Sequence, residues 1–549
     1  TALALHHAVL PPTLHCDEPR AELEATRFRT LTHAEPWEGD APRRAAVNAF
    51  GFGGINAHVV LEAHGTRRPT RAFYTSTSTS PSLRDVGVDA DADARASVHA
   101  NTRRSAVTPG SLSVRADVLQ PHTERILLLA AGSPEALGRA LEAHGVTGHH
   151  TGRGPARLAV FDPTPERLAR AAKIVARGEP WRGRDDMWFA PRGLLRDGGK
   201  VAFVFPGIDS SFQPRVDDVV SAFALPWAAP GGGTELMALG MGIIALGRIL
   251  HAALGALGIA PDVIAGHSIG EWSAMLASEM IRPADVDPLI ARLAHERVEV
   301  PGVAFVAVGA GVARTLPAIA GLASIAVSHD NCPHQVILCG RDADCDTAVE
   351  RLHAAGVLSQ KLPFRSGYHS PLFADFVGPH RRVLAEVSFV SPRVPVWSAT
   401  TCCPYPAAPE AVRELAVEHL LQPVRFREVT EALWDDGARV FVQVGTGSLV
   451  GFADDTLKGR AHLCIGANVP QRAGLAQLRR VVGALWVEGK DELRAWLEPG
   501  THTDTHTGTD TDTGTSSKTT TTTTSLCWRG ARCRFRWECR WCVSSGGWR

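Results

Sequence analysis

A chain of 549 residues is too long for a single hydrophobic core, and about three or four domains are expected. Its 57 basic and 57 acidic side chains balance, so no large single-sign field forms, which argues against nucleic acid as the main partner. Hydrophobic residues make up 44% of it and no charged-then-apolar leader opens it, so no membrane and no export are expected, and the expected location is the cytoplasm. Seven of the 11 cysteines are scattered up to Cys464, as suits free thiols in a reducing compartment.

Leu3 to Leu10 reads as a helix stopped by Pro11-Pro12. Ala45–Phe50 and Ala57–Leu61 read as strands, with Gly51-Phe-Gly-Gly54 turning between them. Two strands and a helix cannot bury a core alone. The run from Ala41 to Glu62, with its Asn48-Ala-Phe-Gly-Phe-Gly-Gly-Ile-Asn56 centre, resembles the C-terminal end of a polyketide-synthase ketosynthase. Leu10 to Pro19 resembles the segment just before it. That family's catalytic cysteine stands in a Thr-Ala-Cys-Ser-Ser context, absent here, and its two histidines would precede residue 1. The resemblance therefore implies that residues 1–62 are a remnant without condensing activity.

Residues 63–122, rich in Thr, Ser, Arg, Asp and Ala without a sustained period, are expected to be a flexible linker. Order returns in residues 123–199. Strands are expected at Arg125–Ala130 and Ala156–Phe161, and helices at Pro134–His144 and Pro165–Arg177. This small α/β unit resembles the linker domain between ketosynthase and acyltransferase in such synthases. Trp181 and Trp188 are expected to pack rather than bind ligand.

Lys200 to Gly207 reads as a buried strand ending in a turn. Beyond a Pro/Gly stretch (Pro226 to Gly233), Leu236 to Leu257 is apolar but carries Arg248, His251 and several glycines, and reads as a buried core helix. Val263-Ile-Ala265 then leads into Gly266-His-Ser-Ile-Gly270 and a helical segment with Trp272, Ala274, Met275 and Leu276. Strand, sharp turn and helix form the setting in which a Gly-x-Ser-x-Gly serine is a nucleophile; the bare pattern, made of common residues, also arises by chance. The glycines admit a tight turn, and the helix N-terminus offers free N–H groups to an oxyanion.

From Val303 to Pro363 the order is strand, helix, strand, strand, helix, strand, the last strand at Val357–Leu362, a ferredoxin-like arrangement. It falls between the elbow and Tyr368-His369, as an inserted subdomain would. Strands at Arg393–Ser398 and Arg439–Val444, the turn Gly445-Thr-Gly447, and helices at Leu475–Leu485 and Glu492–Leu497 complete the ordered chain. Residues 500–549 read as a low-complexity tail, disordered or out of frame. Of its cysteines only Cys539-x-x-Cys542 forms a zinc-type hook, so no metal is expected.

A nucleophilic serine needs a base. His369, 101 residues beyond Ser268 and flanked by Gly367 and Pro371 in a loop, is the best of 23 histidines. His267 is expected to point elsewhere, as a packing or hydrogen-bonding residue. Gly266-His-Ser-Ile-Gly-Glu271, Val204-Phe-Pro-Gly207 and Tyr368-His-Ser-Pro371, in this order around the insert, resemble the acyltransferase domain of type I polyketide and fatty-acid synthases. The fold class implied is α/β: an α/β-hydrolase-like large subdomain with an inserted ferredoxin-like small one, preceded by the small α/β linker domain. A Ser268–His369 dyad is implied, the histidine oriented by a backbone carbonyl expected near Val444 to Ser448. The oxyanion donors implied are the main-chain N–H groups of Ile208, where the family has glutamine, and Ile269.

The resemblance assigns substrate contacts to Tyr368, Asn331 and an arginine beyond the elbow that holds a carboxylate. The ungapped position of that arginine is Leu293, with Arg292 beside it and Arg297 farther along. Either a one-residue shift brings Arg292 in and the acyl group is malonyl, the first expectation, or the acyl group carries no carboxylate.

The domains expected are a ketosynthase remnant (1–62), flexible linker (63–122), linker domain (123–199), acyltransferase domain (200–470, insert about 303–363), closing helices (471–499) and tail (500–549). The expected activity transfers an acyl group from a coenzyme A thioester, via acyl-Ser268, to the phosphopantetheine of an acyl carrier protein, without a bound cofactor. The carrier would act in trans or from a missing part of the synthase, and a homodimer would form through a full-length ketosynthase. A serine hydrolase, or an inactive truncated remnant, is the alternative.

Overall fold

The computed structural model describes residues 1–13, 26–39, 42–50, 56–63, 124–144, 152–209, 212–227, 236–293 and 299–497. The turn at Gly51–Gly54, residues 64–122 of the expected linker, most of the Pro/Gly stretch and the tail with its cysteine hook lie outside them.

The first helix is shorter than expected. It spans Ala2–His7 and ends at Ala8, whose left-handed backbone (φ 53°) breaks the helix. Val9–Leu10 then pairs with Glu35–Pro36. Arg44–Phe50 and Asn56–Glu62 pair antiparallel, and an Arg44–Glu62 ion pair closes one end.

The linker sheet orders Ile126–Ala131, Ala156–Phe161, Met187–Ala190 and Trp181–Arg182, antiparallel throughout. Its first strand is apolar at every position because both faces are covered. Leu127 and Leu129 pack with Leu137 and Ile174 of the two helices Pro134–His144 and Pro165–Arg177. Leu128, Phe161 and Trp188 belong to the main core instead. There the last long helix, Gly474–Glu488, covers them: a Cβ on Gly483 would stand 2.8 Å from the Phe161 ring. Arg479 and Arg480 of this helix pair with Glu124, and Glu488 with Arg182. Trp188 packs edge-on against Phe161 at 5.5 Å and Trp181 donates to the Arg184 carbonyl, so both are packing residues as expected.

The large subdomain is a six-stranded sheet. From one edge its order is Cys403–Pro404, Val396–Ser398, Val263–Gly266, Lys200–Phe205, Ala438–Gln443 and Leu463–Gly466. All neighbours are parallel except the first pair. Its central strands are continuous apolar runs, as parallel strands buried on both faces must be. Helix Leu236–Ala256 is long and apolar enough to cross a membrane, but Ile243, Leu246, Leu250 and Leu254 are buried in the core and Gly247 lets it approach the Phe205 ring.

The insert has sheet order Ile325–Cys332, Gln335–Arg341, Val303–Val308, Ser359–Lys361, antiparallel throughout, with helices Val312–Ile319 and Asp342–Ala354. In the subdomain's own count this is 2-3-1-4, the ferredoxin-like arrangement the sequence predicts. Its last strand is shorter than expected, three residues rather than six.

Candidate active site

Strand Val263–Gly266 lies in the middle of the large sheet and delivers Ser268 at its carboxyl end, where helix Ile269–Ala277 begins. Ser268 has φ 54° and ψ −123°, a strained backbone for a residue with a side chain. Only glycine fits on either side: a Cβ on Gly266 would lie 2.2 Å from the Glu271 nitrogen, and one on Gly270 2.0 Å from the Phe205 carbonyl oxygen. The turn is held by the His267 N–H on Phe205 O and the Glu271 N–H on Ser268 O, both at 2.9 Å.

His369 returns to this point from the far side of the insert. Its Nε2 is 2.8 Å from Ser268 Oγ and its Nδ1 2.8 Å from the His419 carbonyl oxygen. A carbonyl can only accept, so Nδ1 carries the proton and Nε2 presents a lone pair to the serine hydroxyl. The His369 N–H is bonded to the next carbonyl, that of Leu420, at 2.9 Å. Burial, reinforced by neighbouring His419, pushes the His369 pKa well below the ordinary imidazole value, so at neutral pH it is an uncharged base.

The orienting carbonyl is therefore not in the turn at Val444 to Ser448. That turn is committed elsewhere: the carbonyls of Gly445 and Gly447 accept from Gln443 Nε2, and Ser448 Oγ donates to Asp209 at 2.7 Å. His419 stands at the C-terminal cap of helix Pro409–Glu418, where carbonyls have no partner within the helix and remain available.

Sequence reasoning missed the His419 side chain. Its Nε2–H donates to the Ser268 carbonyl at 3.1 Å, while Nδ1 faces Thr400 Oγ1 at 2.9 Å and Glu271 Oε2 at 3.4 Å. Glu271 is fully buried and accepts from Tyr405 Oη, from Ser398 Oγ at 2.8 Å and from the Ala399 N–H at 3.0 Å. The position of Glu271, three residues after the serine on the elbow helix, was the one available signal for this layer.

His267 is a structural histidine, as expected. Its Nε2–H donates to Asn331 Oδ1 at 2.8 Å and its ring stacks on His329, centroids 5.2 Å apart. Burial brings its pKa down to about 4. Asn331 passes the contact on, donating to Gln335 at 2.6 Å, and lines the cavity at the serine. Tyr368 lines it too, its hydroxyl 2.9 Å from His380 Nε2.

The loop after strand Lys200–Phe205 passes directly over the elbow: a Cβ on Gly207 would be 3.2 Å from Ser268 Cβ. It brings Ile208 beside Ser268, while Ile269 occupies the first helical position, whose N–H has no acceptor within the helix. Arg292 is not at the site. On helix Pro283–Leu293 it forms a two-pronged ion pair with exposed Glu386 and lines neither cavity at the serine, since one residue turns a helical side chain by about 100°.

Among the described residues two cavities open at Ser268. One, about 130 Å³, runs toward the insert past Phe305, His329, Asn331, Gln335 and Phe452. The other, about 80 Å³, runs against the long helix past Met237, Met241, Ile244 and Trp272. Among the described residues Asp454, His462 and Cys464 bring ligand-type atoms within 4.8 Å of one another, but none of them lines either cavity.

An uncharged imidazole against a serine hydroxyl, at a strained turn that opens a helix, is an arrangement that suits nucleophilic chemistry at the serine. Residues 232–487 match the family model for an acyl transferase domain, and residues 18–125 that for a ketoacyl-synthetase C-terminal extension. The chain carries an acyltransferase domain behind a ketoacyl-synthetase C-terminal extension, which fits the end of a ketosynthase followed by an acyltransferase as in type I polyketide synthases.

Similar to it are the phenolphthiocerol synthesis polyketide synthase type I Pks15/1 of Mycobacterium marinum, 25% identical over 88% of this chain, and the polyketide synthase GfsA of Streptomyces halstedii, 28% identical over 89%. The chain spans 23% and 7% of the length of these two relatives. The acyltransferase fold also matches solved domains. These include the acyl transferase domain of SpnD in complex with 2-(pent-4-yn-1-yl)malonyl, with TM-score 0.54 and 21% identity over 68% of this chain and 97% of that one. The acyltransferase domain of the iterative polyketide synthase in enediyne biosynthesis matches at TM-score 0.52 and 23% identity, over 67% and 96%. At these identities the likeness to the solved domains concerns the fold.

Proposed function

We propose that this acyltransferase domain moves an acyl group from a coenzyme A thioester onto Ser268 and then onto the phosphopantetheine thiol of an acyl carrier protein. The observation that carries the reading is the 2.8 Å contact of Ser268 Oγ with His369 Nε2, whose other nitrogen is committed to the His419 carbonyl. His369 takes the serine proton as Oγ attacks the thioester carbonyl. The oxyanion is held by the N–H groups of Ile208 and Ile269. The C–S bond then breaks, and His369 returns its proton to the leaving coenzyme A thiolate. In the second half His369 deprotonates the carrier thiol, which attacks the acyl-serine, and the proton returns to Ser268. Asn331 and Gln335, on the wall of the larger cavity, suit the amides of a pantetheine arm.

A hydrolase of the triad type would hold Nδ1 of its histidine with a carboxylate. Here a carbonyl takes that place, and Glu271 reaches His419 instead. The test is release of coenzyme A from acyl-CoA by the purified chain, with and without added carrier protein. Carrier-dependent release with acyl transfer to the carrier is expected. Equal release without carrier would favour the hydrolase, and no release at all the inactive remnant.

A further inference from the structure

The smaller cavity at Ser268 has a chemical character that bears on which acyl group the serine accepts. Its walls are Met237, Met241, Ile244, Trp272, Ile269 and Leu420. Its polar groups are the serine, Tyr368 and three histidines, and each of these has a partner. His369 faces the serine and the His419 carbonyl, and burial keeps it uncharged. The His419 ring is held between the Ser268 carbonyl, Thr400 and Glu271. The Tyr368 hydroxyl and His380 Nε2 satisfy each other. No lysine or arginine is among the described residues lining either cavity. Among the described lining residues the one carboxylate, Asp209, adds negative charge to the larger cavity, beside Ser448.

A carboxylate on the bound acyl group would thus be taken out of water beside thioether, alkyl and indole carbon and polar groups already hydrogen-bonded, with no lysine or arginine among the described lining residues to meet it, which is strongly unfavourable. An alkyl chain in the same place leaves water for matching apolar surface, which is favourable. Arg292, the cation that a malonyl group would need, is engaged with Glu386 on the exposed side of its helix.

We infer that the acyl group this site accepts is uncharged and short, an alkanoyl group on the order of two to four carbons, rather than a carboxylated one. The length follows from the cavity, about 80 Å³ against the roughly 150 Å³ of an apolar cavity that holds benzene. The inference rests on the transferase reading above, and its test separates the two. The purified chain is mixed with acetyl-, butyryl-, octanoyl- or malonyl-CoA, and the adduct on Ser268 is timed by intact mass. Acetyl or butyryl is expected to load about 100-fold or more faster than malonyl, with octanoyl slow and accelerated by Met241→Ala, and with Arg292→Ala leaving this preference unchanged.

Malonyl loading as fast as butyryl would overturn the inference while leaving the transferase reading intact. If that malonyl loading then fell in Arg292→Ala, Arg297→Ala or His380→Gln, the variant would identify the cation responsible. Octanoyl loading as fast as butyryl in the wild type would overturn the length assignment. No adduct on Ser268 from any of the four thioesters would overturn the transferase reading and this inference with it.

Discussion

The carbonyl oxygen of His419 lies 2.8 Å from Nδ1 of His369, and this contact decides which ring nitrogen faces Ser268 with its lone pair. The same residue also reaches Ser268, its ring donating to the Ser268 carbonyl at 3.1 Å. One helix end thus holds both members of the proposed dyad, through its backbone on one side and its side chain on the other.

His419→Ala keeps the backbone carbonyl and removes the ring. It is expected to lower kcat about 10-fold with little change in KM, the scale of one net hydrogen bond at a strained turn. His419→Gln, which can still donate to Ser268 O, should recover most of that rate. Steady-state transfer to a carrier protein reads both; equal losses in the two variants would mean that the ring acts by bulk alone.

His369→Ala is expected to slow acylation at least about 100-fold, since general-base catalysis is worth about 10²–10⁴. His267→Asn, which can still donate to Asn331, should cost far less. Burial holds the His369 pKa well below 6.5, so the base stays deprotonated as pH falls through 6.5 and is lost only at its own lower pKa. The acid limb of the acylation rate should therefore lie well below pH 6.5. A half-maximal rate near 6.5 would show that His369 titrates as an exposed imidazole does.

Tyr405 donates to the fully buried Glu271 carboxylate, and burial, then that carboxylate, raise the tyrosine pKa well above its usual value, so the proton stays on Tyr405. Tyr405→Phe removes one donor from a carboxylate that water cannot reach. A loss of about 1–3 kcal/mol is expected in urea unfolding, without a change in the slope against urea. An unchanged midpoint would mean that Ser398, Ala399 and His419 suffice for Glu271.

The elbow was legible in the sequence because its chemistry is local: two glycines, a serine and a β-branched strand within about eight residues. The insert was legible because strand and helix periods alternate there without interruption. His369 could be found because Gly367 and Pro371 mark a loop. The orienting carbonyl could not, since it lies 50 residues beyond His369 and any residue type can supply it. The direction of Arg292 depends on helix phase, and its partner Glu386 is 94 residues away. Nor did the closing helix announce that Arg479 and Arg480 would reach back to Glu124, 355 and 356 residues earlier. Such pairs leave no local pattern, because each residue alone reads as a surface charge.

The central claim is that Ser268 becomes acylated. Intact-mass measurement after mixing the purified chain with acyl-CoA tests it most directly. The account predicts a single acyl adduct that maps to Ser268, is absent in Ser268→Ala, and disappears when carrier protein is added. An adduct that persists in Ser268→Ala would contradict it.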